Sequence, residues 1–72
     1  MDLDTTFTDI VAGLGEEPGV IYVMFRQHAA NYRLAADRPD FDQQLATAKK
    51  SLKRKKPVTV VARDTEIISI RM

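Results

Sequence analysis

Hydrophobic positions change their spacing three times along this 72-residue chain, and each change marks an element. The best-marked element is a helix over 41–56. Phe41, Leu45, Ala48 and Leu52 recur at i, i+4, i+7 and i+11, which lines them along one side of a helical period. Asp40 stands at the N-cap with Gln43 at capping-box spacing, Asp42 puts negative charge in the first turn, and Pro57 ends the hydrogen-bond ladder. Beyond Pro57 the period drops to two. Val58, Val60 and Ala62 alternate with Thr59, Val61 and Arg63, and Ile68, Ile70 and Met72 alternate with Ile67, Ser69 and Arg71. A C-terminal hairpin over 58–72, turning at Asp64-Thr65, is expected.

The segment Val20 to Phe25 is apolar at every position. As a strand it presents Val20, Tyr22 and Met24 on one face and Ile21, Val23 and Phe25 on the other, and such a strand needs cover on both. Ala30, Tyr32 and Leu34 then alternate with Asn31 and Arg33, which gives a hairpin over 20–35. Helix is the competing state for 24–36, because Phe25, Ala29, Tyr32 and Ala36 share one helical face. At the front, Phe7, Ile10, Val11 and Leu14 have helical spacing, Thr5 or Thr6 can cap, and Gly13 and Gly15 stop the run before the turn Glu16-Glu17-Pro18-Gly19. An acidic N-terminal helix or arm over 1–17 is therefore expected.

These elements predict one α+β domain over 1–72: a short N-terminal helix, then strand, strand, helix, strand, strand. The four strands are expected to form an antiparallel sheet or a small OB-like barrel packed with the one main helix. A domain this small buries only about 60% of the surface its unfolded chain exposes. With no cysteine, disulfides cannot reinforce it. Oligomerisation is the remaining route, and Val20, Tyr22 and Met24 are the candidate self-association strand.

Charge adds a second motive. Residues 1–48 carry three arginines against eight carboxylates, a net of −5, whereas residues 49–72 carry eight cations against two carboxylates, a net of +6. Six of the cations, Lys49, Lys50, Lys53, Arg54, Lys55 and Lys56, crowd the end of the helix with no acid among them. They are the candidate anion- or partner-binding residues, and the acidic arm of a second copy or another acidic partner could meet them. Alternatively they contact the phosphates of RNA or DNA with little sequence preference. The bland reading is a solvated helix end that complements its own dipole.

Catalytic candidates are scarce. His28 is the only imidazole, and no acid near it in sequence completes an acid–base pair. Asp37, Asp40 and Asp42 match no calcium-loop spacing, and capping accounts for the last two. Glycines 13, 15 and 19 have the wrong spacing for a phosphate loop. No catalytic residue, metal or cofactor is assigned. The expected function is that of a small non-enzymatic binding or self-associating domain. A weakly selective RNA/DNA-binding module is the alternative, and an OB-like subunit of a secreted carbohydrate-binding oligomer is a weaker one. Cytoplasm is the expected location, because Met1-Asp2-Leu3-Asp4 is acidic where a secretory signal carries positive charge. No apolar run approaches the ~20 residues of a membrane span.

Overall fold

The computed structural model describes residues 4–72, so the first three residues of the expected N-terminal helix or arm lie outside the described residues. Within them the front of the chain is extended, not helical. The elements are β1 (Asp4–Asp9), β2 (Val11–Glu17), β3 (Val20–Phe25), β4 (Asn31–Ala35), α1 (Phe41–Arg54), β5 (Val58–Arg63) and β6 (Glu66–Arg71). The fold expected from sequence, with an N-terminal helix and four antiparallel strands in a flat sheet or OB-like barrel, is thereby corrected. The described residues form a six-stranded mixed sheet with a single helix, in the order β1-β5-β6-β4-β3-β2. Five of its neighbouring pairs account for the whole order, and only β4 with β6 is parallel.

The helical spacing at the front has a physical explanation in the strand geometry. Phe7 lies opposite Val60 and Asp9 opposite Val58, and both point to the face that carries the core. After Val11, which pairs with Phe25, the register shifts at Ala12, so the next inward residue is Leu14, opposite Val23. A bulge inserts one residue and resets the period-two phase. Phe7, Val11 and Leu14 are thus all inward although they are four and three apart, the spacing of a helix. Thr5, Thr6, Thr8 and Val11 are β-branched, and Gly13 and Gly15 weaken a helix, so local preference agrees with the extended state.

β1 and β2 stand at opposite ends of the sheet order yet are joined by Ile10 alone. The sheet is therefore curled, with its two outer strands meeting at that corner, where the Arg26 amide donates to the Ile10 carbonyl at 3.0 Å. The concave face holds Val11, Val23, Phe25, Leu34, Val58, Val60, Ala62, Ile67 and Ile70, all buried, with Ala48 of α1 packed among them. Burying each of the larger aliphatic side chains contributes about 1.5–3 kcal/mol relative to leaving it exposed. That sum outweighs the tenths of a kcal/mol at stake in local propensity.

The helix sits deeper on a different stripe than its apolar residues predict. Gln44, Ala48 and Ser51 are buried, Phe41 and Leu45 are half-buried, and Leu52 is 37% exposed. Small residues let the helix approach the sheet, and Gln44 spans the gap by donating to the Ile68 carbonyl at 3.1 Å. That carbonyl lies where the β5–β6 register shifts, and the Arg38 guanidinium donates to it as well, at 3.2 Å. Asp40 makes no side-chain cap to the backbone. Its carboxylate accepts from the Gln44 amide at 2.7 Å instead.

The segment 24–36 is not helical, since β3 and β4 pair antiparallel with Val23 opposite Tyr32 and Tyr22 opposite Arg33. Val20, Tyr22 and Met24 point away from the core yet remain half-buried. Gly13 and Gly15 of β2 stand opposite Met24 and Tyr22, and a Cβ at Gly13 would come within 3.3 Å of the Met24 methyl. The bare glycine backbone makes room for that side chain, so part of the cover this strand requires comes from its own neighbour.

Candidate functional site

The fold supplies His28 with the acid that the local sequence lacks. Asp9, nineteen positions upstream at the corner between β1 and β2, is buried on the concave side, and its Oδ2 lies 2.6 Å from Nδ1 of His28. The same carboxylate accepts from the Ile10 amide at 2.7 Å through Oδ1 and from the Gln27 amide at 2.9 Å through Oδ2. One side chain therefore fastens the β3–β4 loop to the β1–β2 corner. Burial pushes the Asp9 carboxyl up, but the hydrogen bonds from His28, Gln27 and Ile10, with the charge of a protonated imidazole, outweigh it and leave the group below its ordinary range.

Aromatic rings surround the imidazole. Phe7 lies against His28 with centroids 4.1 Å apart and planes tilted by 32°, and Phe25 and Tyr32 pack on Phe7 at 5.2 Å each. Phe25 and Tyr32 meet edge to face at 5.5 Å. Tyr32 therefore belongs to this inward cluster, whereas Tyr22 is on the outward sheet face. A carboxylate behind an imidazole selects the tautomer protonated on the bonded nitrogen and orients the ring, the base-and-orienter part of a nucleophilic site. Among the described residues no hydroxyl is hydrogen-bonded to His28, and the chain contains no cysteine. What the pair does within these residues is hold a loop.

The basic residues Lys49, Lys50, Lys53, Arg54, Lys55 and Lys56 are all exposed along the last turns of α1 and the residues after it. Lys55 takes the left-handed conformation, φ 57°, that ends the helix. Ser51, wholly buried, fastens this turn: its hydroxyl donates to the Lys56 carbonyl at 2.6 Å and accepts from the Val11 amide at 3.1 Å. Sequence reasoning missed both Asp9 and Ser51. An acid or a serine on a buried face is the signal that would have found them, and it is visible only when the face is known. Asp37, Asp40 and Asp42 do not converge, and Asp40 faces Gln44 and, at 3.7 Å, Arg38. No helix among the described residues is long and apolar enough to cross a membrane.

No protein-family model matches the chain, and no curated protein matches it in sequence. Two solved structures do match in fold. The crystal structure of pro-protein-glutaminase superposes with a TM-score of 0.84 over 97% of this chain and 26% of that one, at 22% identity. The A47Q2 mutant of pro-protein-glutaminase superposes with a TM-score of 0.79 over 89% of this chain and 23% of that one, at 21% identity. The chain thus spans about a quarter of the length of the structures it matches. These neighbours correct the expectation of a non-enzymatic binding or self-associating domain, and with it the nucleic-acid and carbohydrate alternatives, because both of these solved structures are forms of pro-protein-glutaminase.

Proposed function

We propose that the chain is a domain of an enzyme precursor of the protein-glutaminase kind, whose reaction is hydrolysis of the glutamine side-chain amide in proteins. The observation that supports this reading is the superposition of 97% of the chain on about a quarter of pro-protein-glutaminase. A match that is nearly complete on one side and partial on the other is what a whole fold unit inside a longer polypeptide produces. The prefix pro- in the neighbour's name marks a precursor. In this reading the domain bears on catalysis by packing against the amide-hydrolysing part of the enzyme.

The test is a titration of the purified chain into a mature protein-glutaminase acting on a glutamine-containing protein, with ammonia release as the readout. A saturable fall in rate is expected. A rate unchanged at every concentration of the chain overturns the proposal.

A further inference from the structure

We propose that the flank of α1 bearing Lys49 and Lys53, with Lys56 just beyond the end of the helix, is a docking track for an acidic protein segment that presents one apolar side chain. Three observations meet there. Among the described residues no carboxylate lies within ion-pairing distance of any of the six cations, so none of these acids neutralises the cluster. Lys49 lines a hollow of about 170 Å³ together with Leu14, Ile21, Leu45 and Glu16. Leu52 is 37% exposed one turn further along the same side of the helix. An apolar cavity of about 150 Å³ accepts a benzene ring, so the hollow has room for one apolar side chain.

Geometry gives the track its direction. Glu16 repels acid at the hollow, whereas Lys53 and Lys56 lie toward the helix end, so the apolar side chain seats beside Leu45 and its carboxylates follow toward Lys56. The Ser51 hydroxyl holds the turn that carries Lys55 and Lys56, which lowers the ordering cost of binding. Each exposed lysine–carboxylate pair is worth roughly a 1.5- to 5-fold change in affinity. Charge therefore steers the encounter, and the apolar seat sets the residence time. An acidic protein segment fits better than nucleic acid, because Phe7, Phe25 and Tyr32 are committed to the inward cluster and offer no stacking surface beside the lysines. This inference rests on the helix flank and not on the likeness to the precursor, so either can fail alone.

Fluorescence anisotropy tests it with three labelled probes: a glutamate-rich peptide with one leucine, the same peptide with serine in place of leucine, and a single-stranded DNA. Each is titrated with the chain at about 50 mM and about 200 mM salt. The leucine peptide is expected to bind most tightly and to weaken as salt rises. K53E/K56E lowers its affinity roughly tenfold or more, K50E/R54E has a smaller effect for the same charge change, and E16Q strengthens binding. Circular dichroism of each variant checks that these exposed substitutions leave the fold intact. Equal loss from K53E/K56E and K50E/R54E, equal binding of the two peptides, tighter binding of the DNA, or no binding of the leucine peptide at low salt each overturns the proposal.

Discussion

Asp9→Ala removes one carboxylate and with it three hydrogen bonds, two of which, from Gln27 and His28, join loops distant in sequence, while the third, from Ile10, is local to the corner. A bond to a charged acceptor contributes about 1.5–3 kcal/mol, and a donor left buried without a partner costs about 1–3 kcal/mol. The donors here differ in their access to water: Gln27 is exposed and His28 half-buried, so solvent replaces part of what they lose. Ile10 is half-buried at the corner where the sheet turns. A net loss of about 3 kcal/mol follows, near one modest bond per donor. For a domain of 72 residues the whole folding stability is about 4–11 kcal/mol, so the variant loses a large share of it. The melting temperature falls by about 12–24 °C. Urea unfolding followed by far-ultraviolet circular dichroism measures the change, with His28→Ala and the double variant completing a cycle. A coupling of about 1–2 kcal/mol between Asp9 and His28 is expected. A loss below about 1 kcal/mol for Asp9→Ala, or additivity within about 0.5 kcal/mol, refutes the view that this carboxylate fastens the corner.

Three further outcomes follow from the same structure. Because the Asp9 carboxyl is held below its ordinary value in the folded state, its stabilisation is complete above the unfolded value near pH 4 and is lost as pH falls through the folded value. Urea midpoints measured downward from about pH 5 therefore drop for the parent chain and drop less for Asp9→Asn. Ser51→Ala leaves the Val11 amide without its buried acceptor and frees the Lys56 carbonyl, a loss of about 1–3 kcal/mol that a chemical denaturation curve reads directly. Lys55→Gly relieves a side chain held at φ 57° and raises stability by about 0.5–1 kcal/mol after the extra entropy of glycine in the unfolded chain is counted; a fall in melting temperature contradicts that sign.

The helix and the two strands after it were the most readable part of the chain because their signals are local. A period of 3.6 changes to a period of two across Pro57, and no distant contact is needed to interpret either. Even there the depth of burial was misread. Leu52 looked inward by spacing, but Ala48 and Ser51 allow the closest approach to the sheet, so the helix turns that side down and leaves Leu52 partly in solvent. The front of the chain misled for a different reason. The bulge at Ala12 shifts the inward face by one residue, so a bent strand acquires the spacing of a helix. His28 seemed unpartnered because its acid lies across that same bend.

Periodicity reports which side of an element is apolar relative to the element's own axis, and for that β5 needed only its residues. By contrast, α1 buries Gln44, Ala48 and Ser51, and β6 buries Ile67 with Ile70 across the register shift at Ile68, not the expected Ile68, Ile70 and Met72. Periodicity carries no information about which strand lies beside which, so the order β1-β5-β6-β4-β3-β2 and its one parallel pairing came from the packed chain alone. The same holds for Asp9 with His28 and for Ser51 with Val11, contacts that span nineteen and forty positions. Each depends on the closure of a curled sheet around one core, and that closure is a property of the whole chain, absent from any window along it.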